Sequence, residues 1–268
     1  MIPVGERING SFADVRAAIL AKERKLIQDL AVIQKGAGAH YLDCNVGPAV
    51  YDEVGAMRWL IETVQDATDA RLSLDSRKLN VIKAGLSAMD TVNGCIINSC
   101  TGDERQLDVY IPLAIKHNAS LVARTINKDG MPRNADERVE IAATIITKAM
   151  DYGLGPERLF IDPIVTPVNL FVEQDRPRYV LSAISQIRQM TDPPIHVICG
   201  LSNISRGARD RPLFNRTFLA MAVAAGLDAA IVDVLDSDLM DTWAAAEVLI
   251  KRRAQSSDSR QQAALMYR

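Results

Sequence analysis

Leu159-Phe-Ile-Asp162 is a short apolar run that ends in an acid. The same pattern, closing on an acid or an amide, recurs in Tyr41-Leu-Asp43-Cys-Asn45, Leu72-Ser-Leu-Asp75, Ile96-Ile-Asn98, Val197-Ile-Cys-Gly-Leu-Ser-Asn203 and Ile231-Val-Asp233. Runs of this length between polar residues read as buried strands. Amphipathic stretches of helical length separate them. The spacing predicts strands at 2–5, 40–44, 71–75, 94–98, 120–125, 158–162, 195–199 and 228–232. It predicts helices at about 12–36, 51–69, 78–88, 103–117, 135–152, 176–190, 213–225 and 236–253. Ser11 and Asn134 read as N-caps, and Gly36-Ala-Gly38 and Gly153-Leu-Gly155 as helix stops. Eight β-then-α units in about 250 residues predict a single-domain α/β fold, the (β/α)8 or TIM barrel. The competing open doubly wound sheet usually carries a glycine-rich turn after its first strand. Here that turn is Gly5-Glu-Arg-Ile-Asn-Gly10, with Glu6 and Arg7 where small residues are needed. The barrel is expected over 1–253, followed by a polar C-terminal tail over 254–268.

Composition narrows the classes of function. The chain has 268 residues, 48% of them hydrophobic, which is enough for a large core. A net charge of −2, with no basic run interleaved with aromatics, argues against nucleic acid as a partner. No charged-then-apolar leader and no apolar run of about 18 residues is visible, so neither a signal peptide nor a membrane span is expected. Cys44, Cys95, Cys100 and Cys199 lie at or near strands and read as buried free thiols of a cytoplasmic protein.

Parallel strands bring their polar ends to one rim, and barrels of this kind place chemistry at the C-terminal rim. The rim then offers Glu6, Asn9, Asp43, Asn45, Asp75, Asn98, Asn127, Asp162, Asn203 and Asp233. Each alone is as easily an N-cap or a turn former. Together they make a ring of acceptors and amides. Half are uncharged, which suits magnesium or manganese poorly. His40, His117 and His196 are scattered, and His196 and Cys199 point to opposite faces of one strand, so no metal site is expected. A flat heterocycle fits better. A 2-amino-4-oxo-pyrimidine edge presents adjacent N–H donors that one carboxylate accepts together, and amides satisfy the mixed remainder. Asp75, Asn98 and Asp162 have that chemistry. The seventh-strand loop places Arg206, Arg209 and Arg211 within six positions. This suits either an anionic substrate tail or a surface ion-pair network.

Seven segments carry a resemblance: Val4-Gly-Glu-Arg-Ile-Asn-Gly10, Leu42-Asp-Cys-Asn-Val-Gly-Pro-Ala49, Leu74-Asp-Ser76, Ile97-Asn-Ser99, Ile161-Asp-Pro163, Gly200-Leu-Ser-Asn203 and Arg211-Pro-Leu-Phe-Asn-Arg-Thr-Phe-Leu-Ala-Met221. In order and spacing the chain resembles the pterin-binding methyltransferases from about residue 2 to 250. Within that family it is most similar to those acting between methyltetrahydrofolate and a corrinoid/iron–sulfur protein. The resemblance implies a TIM barrel, a homodimer, and methyl transfer between a folate nitrogen and the cobalt of a corrinoid carried by a partner protein. It implies that Asp75, Asn98 and Asp162 hold the pterin, that Asn203 contacts the reacting nitrogen, and that Ser202 and Arg211 lie nearby. The family pattern leads one to expect Gln where this chain has Arg206, which opens a role for Arg206 in folate or partner contact. No Asp-x-His-x-x-Gly segment is present to ligate cobalt, so the corrinoid is expected on the partner. A dihydropteroate synthase-like enzyme and a non-catalytic folate-binding subunit of a corrinoid assembly are the rival expectations.

Overall fold

Every expected strand forms, and the strands close into a barrel. β1 (Ile2–Gly5), β2 (Tyr41–Cys44), β3 (Arg71–Asp75), β4 (Ile96–Thr101), β5 (Ser120–Arg124), β6 (Leu159–Asp162), β7 (His196–Gly200) and β8 (Ala229–Val232) are parallel and pair in sequence order. β8 returns to β1 with Ile2 opposite Ala229 and Gly5 opposite Val232, which rules out the open sheet. The computed structural model describes residues 1–48, 50–90, 94–169 and 177–250. The tail over 254–268 lies outside the described residues.

Around the strands lie α1 (Ala13–Ala21), α2 (Arg24–Gly36), α3 (Glu53–Gln65), α4 (Leu79–Ala88), α5 (Glu104–Lys116), α6 (Ala135–Asp151), α7 (Pro177–Ile187), α8 (Arg211–Ala225) and α9 (Ser237–Leu249). The single helix expected over 12–36 is two. Lys22 adopts the left-handed conformation (φ 57°), and the Glu23 N–H closes back on the Ala18 carbonyl at 2.8 Å, which ends α1. Ser11 is not its cap. Phe12 holds that position without a side-chain bond, while the Ser11 N–H is taken by Asn9 Oδ1 at 2.8 Å. Asn134 does cap α6, accepting from the Glu137 N–H at 2.9 Å.

The alternation of the strands decides what reaches the site. Val4, Tyr41, Ile96, Val122, Phe160, Ile198 and Ala229 form a dry plug inside the barrel. Leu42, Leu74, Ile97, Leu121, Ile161 and Val197 point outward into the larger core beneath the helices. Side chains two apart on a strand share a face. Above the plug the inward positions are therefore Glu6, Asp43, Asp75, Asn98, Arg124 and Asp162. The plug is a floor for whatever binds above it. Trimming one methylene from it, Ile96→Val, should cost about 1 kcal/mol. Thermal unfolding should register this as a fall of about 2–4 °C.

Two glycines explain the Gly10 and Gly47 positions of the motifs. A Cβ on Gly10 would lie 2.1 Å from the Val46 carbonyl oxygen, and Gly47 has φ 77°. The loops after β1 and β2 pass backbone against backbone, tied by a parallel bridge between Asn9 and Asn45. All four cysteines are free and buried. Among the described residues, no helix is long and apolar enough to cross a membrane.

Candidate active site

β3, β4 and β6 deliver the acids and amides expected at the barrel mouth. Asp75 and Asn98 are register partners on neighbouring strands. On the other side of β5, Asp162 pairs with Arg124. β4 carries an irregularity between Asn98 and Cys100 where it pairs with β5. Asn98 therefore points into the barrel while Cys100 turns outward into the helix-facing core.

Asp43 is the buried partner of Asn98 and Asp75. It is 1% exposed, and its Oδ1 accepts from Ser73 Oγ at 2.7 Å and Asn98 Nδ2 at 3.1 Å. Its remaining hydrogen bond is to Asp75. Two carboxyls this close in a dry pocket do not both ionise. Burial drives Asp43 well above the usual carboxylate range, and the charge of Asp75 adds to this. Burial also raises Asp75, but the Asn45 amide, the hydrogen bond from Asp43 and the charges of Arg124 and Arg77 pull it back. Both carboxyls of the pair are thus raised above the usual carboxylate range, Asp43 the more strongly. Asn45 Nδ2 donates to Asp75 Oδ2 at 2.6 Å, while Asn45 Oδ1 receives the Gly47 N–H at 2.7 Å. Asp43 and Asn45, which the sequence places only on the rim, are the groups that hold Asp75.

Asp162 is fixed from the loop that follows it. Its Oδ1 accepts the N–H of Ile164 at 2.8 Å. Ile164 sits at φ 63°, a conformation that a β-branched residue adopts only under tertiary constraint. Burial pushes the Asp162 carboxyl up to about 6, against the pull of that N–H, Arg124 and Arg138. Stability contributed by the protonated form is complete below 3.8 and is lost as pH rises through about 6. A ligand that donates N–H groups needs the ionised form. Its affinity should therefore drop as pH falls below about 6, and Asp162→Asn should abolish that limb in binding titrations.

On the opposite wall, the 3-10 turn Leu201–Asn203 follows β7 directly. Ser202 Oγ donates to Glu6 Oε2 at 2.8 Å. Burial raises Glu6 to about 7, with Asp233 adding to the rise and Ser202, Arg211 and Arg7 opposing it. Asn203 has no side-chain hydrogen bond among the described residues. Its Nδ2 lies 2.8 Å from where a Cβ on Gly200 would stand, so that glycine leaves room for the amide over the strand end. Arg211 Nε donates to Ser205 Oγ at 3.1 Å, and its Nη2 reaches the Ser202 carbonyl at 3.4 Å. Arg211 braces this turn.

Not every rim candidate joins the site. Arg206 is exposed, and its side chain makes no hydrogen bond or ion pair among the described residues. Asn127 lies beyond the end of β5 and spends its Oδ1 on the Asp129 N–H. Asp233 forms a local turn to the Leu235 N–H, and Asp236 caps α9. His196 stacks on Phe160 and pairs with Asp228 at the opposite end of the barrel. Two surface cavities, of about 690 and 590 Å³, flank Asn127 on the outer wall and contain none of the clamp residues. Reading for acids and amides missed Arg124. Its signal was present, because it stands two residues after inward-facing Val122.

A ring of inward acids and amides over an apolar floor is what a flat, polar-edged heterocycle requires. Residues 11–233 match the family described as "Pterin binding enzyme". The chain belongs to the pterin-binding enzymes. It is 32% identical over 252 residues to a methylcorrinoid:tetrahydrofolate methyltransferase of Eubacterium limosum, covering 93% of this chain and 91% of that one. It is 31% identical to methionine synthase of Mycobacterium tuberculosis, covering 87% of this chain and 20% of that protein. Among solved structures, a dihydropteroate synthase of Coxiella burnetii in complex with pteroic acid superimposes with a TM-score of 0.69 at 14% identity, over 93% of both chains. That likeness is one of fold. Membership of the pterin-binding enzyme family agrees with the expected barrel and with the class of ligand inferred from the rim.

Proposed function

We propose that this protein transfers a methyl group between N5 of tetrahydrofolate and the cobalt of a corrinoid carried by a partner protein. One observation carries the reading. A chain similar over nearly its whole length to a methylcorrinoid:tetrahydrofolate methyltransferase has carboxylates and amides around its mouth and, after β7, the Asn203 amide with no side-chain partner among the described residues. Asp75, Asn98 and Asp162 hold the pterin edge. Asn203 stands at the reacting nitrogen, and Ser202 and Arg211 set the turn that carries it.

In the folate-to-cobalt direction, the N5–methyl bond breaks and a cobalt–methyl bond forms with the electron pair of cobalt(I). N5 keeps the electron pair of the broken bond, and a proton taken up there balances the charge. A tertiary amine leaves poorly, so a group that protonates it or stabilises charge on it lowers the barrier. An amide supplies no net proton at neutral pH. Glu6, held near neutrality and bonded to the residue before Asn203, is placed to supply one through water. Turnover should then fall as pH rises through about 7, and Glu6→Gln should flatten that limb in a pH–rate profile. The plug holds the ring from below, and the open mouth leaves the methyl for the partner's corrinoid. The reverse transfer uses the same contacts.

The direct test is to mix the protein with cob(I)alamin and 5-methyltetrahydrofolate and follow the cobalt spectrum. Conversion to methylcobalamin is expected. Folate binding without transfer at any cobalamin concentration would instead mean a binding subunit. Product formed from a pterin pyrophosphate and p-aminobenzoate would mean a synthase-like enzyme.

A further inference from the structure

Arg124 is a cation among acids that makes no hydrogen bond with its side chain among the described residues. Its Nε is buried without a partner. Its Nη groups are neither buried nor bonded, so they face open space. It follows Val122 on the inward face of β5, beside Asp162 on β6 and with Thr101 as its register partner on β4. The Thr125 N–H is bonded to the Asp162 carbonyl at 2.9 Å, which locks the two strand ends side by side. The protein supplies this guanidinium with no acceptor among the described residues, so an acceptor that enters the site can take its Nη donors.

The ligand edge supplies the match. Read along a 2-amino-4-oxo-pteridine, the 2-amino group and N3–H donate, and the neighbouring 4-oxygen accepts. A carboxylate takes the first two in bidentate fashion and leaves the third in need of a donor beside it. Asp162 with Arg124 presents acceptor, acceptor, donor in adjacent strands. We propose that Arg124 is a specificity-determining residue that donates to the 4-oxygen and makes the site reject 4-amino pteridines. In a 4-amino ring the acceptor becomes a donor facing the guanidinium, and N3 becomes an acceptor facing the carboxylate. The inference rests on the pterin reading of the site and adds which oxidation-independent feature of the ring is read and by which residue.

The experiment is calorimetric binding of 5-methyltetrahydrofolate and of its 4-amino-4-deoxy counterpart to the full chain and to Arg124→Met and Arg124→Lys. The wild type should prefer the 4-oxo ligand. In Arg124→Met the 4-oxo ligand should bind about tenfold more weakly while the 4-amino ligand binds as well or better, a crossing that a merely structural role would not produce. Arg124→Lys, which keeps a donor and a charge, should retain part of the preference. Equal weakening of both ligands in Arg124→Met would overturn the proposal, as would a wild type that binds the two alike. A wild type that binds neither would instead overturn the pterin reading beneath it.

Discussion

Asp162→Asn weakens binding of 5-methyltetrahydrofolate by about 10²–10³-fold, measured by calorimetry at pH 7.5. The substitution keeps the size of the side chain and removes its charge. Two charge-assisted hydrogen bonds are lost, each contributing about 1.5–3 kcal/mol. One amide hydrogen also turns toward a ligand donor. The same change removes a carboxyl that is costly to ionise in the empty pocket, with its titration raised to about 6. Asp162→Asn should therefore leave the unliganded fold at least as stable as the wild type above that pH. Weaker binding with an unchanged or higher melting temperature marks a group kept for its ligand. Loss of stability together with binding would make Asp162 a structural residue, held by Ile164 for the sake of the loop.

Asn203→Ala lowers methyl transfer about 10²-fold while folate affinity changes by less than about threefold. A donor or acceptor aimed at charge that develops during reaction contributes to the barrier and not to the ground state. The side chain has no bond within the protein among the described residues, so its removal strands no partner. Its truncation also opens no core cavity, because it sits above Gly200 at the barrel mouth. Single-turnover measurement at saturating folate separates the two effects. Equal losses in binding and transfer would make Asn203 another anchor for the ring.

The strands and the polar residues at their ends were legible because their signals are local. An apolar run closed by Asp162 or Asp75 states both a strand and the character of its end. Membership of a closed barrel follows from counting such units. Helix boundaries were less legible. Nothing near Ser11 shows that Asn9 takes its amide, and the break at Lys22 is a backbone choice that the apolar periodicity of 12–36 conceals.

Roles within the site divide along the same line. Asp43, Asn45 and Asp75 read alike in one dimension, each a polar residue at a strand end. Their difference is one of burial and neighbours. Asp43 lies deeper and is raised the more strongly, Asn45 orients, and Asp75 stands between the Asn45 amide and Asp43. Arg206 and Arg124 make the converse case. The sequence marks Arg206 by its cluster of cations, yet it stands exposed, whereas solitary Arg124 faces inward beside Asp162. Sequence alone determined which residues arrive at the mouth of the barrel, since a period of two and a polar stop are written along the chain. Only the tertiary structure decided which of them couple, which are held by a neighbour, and which cation faces inward. Those depend on depth below the surface and on atoms from strands 30 to 55 residues apart, such as Asp43 with Ser73 and Asn98.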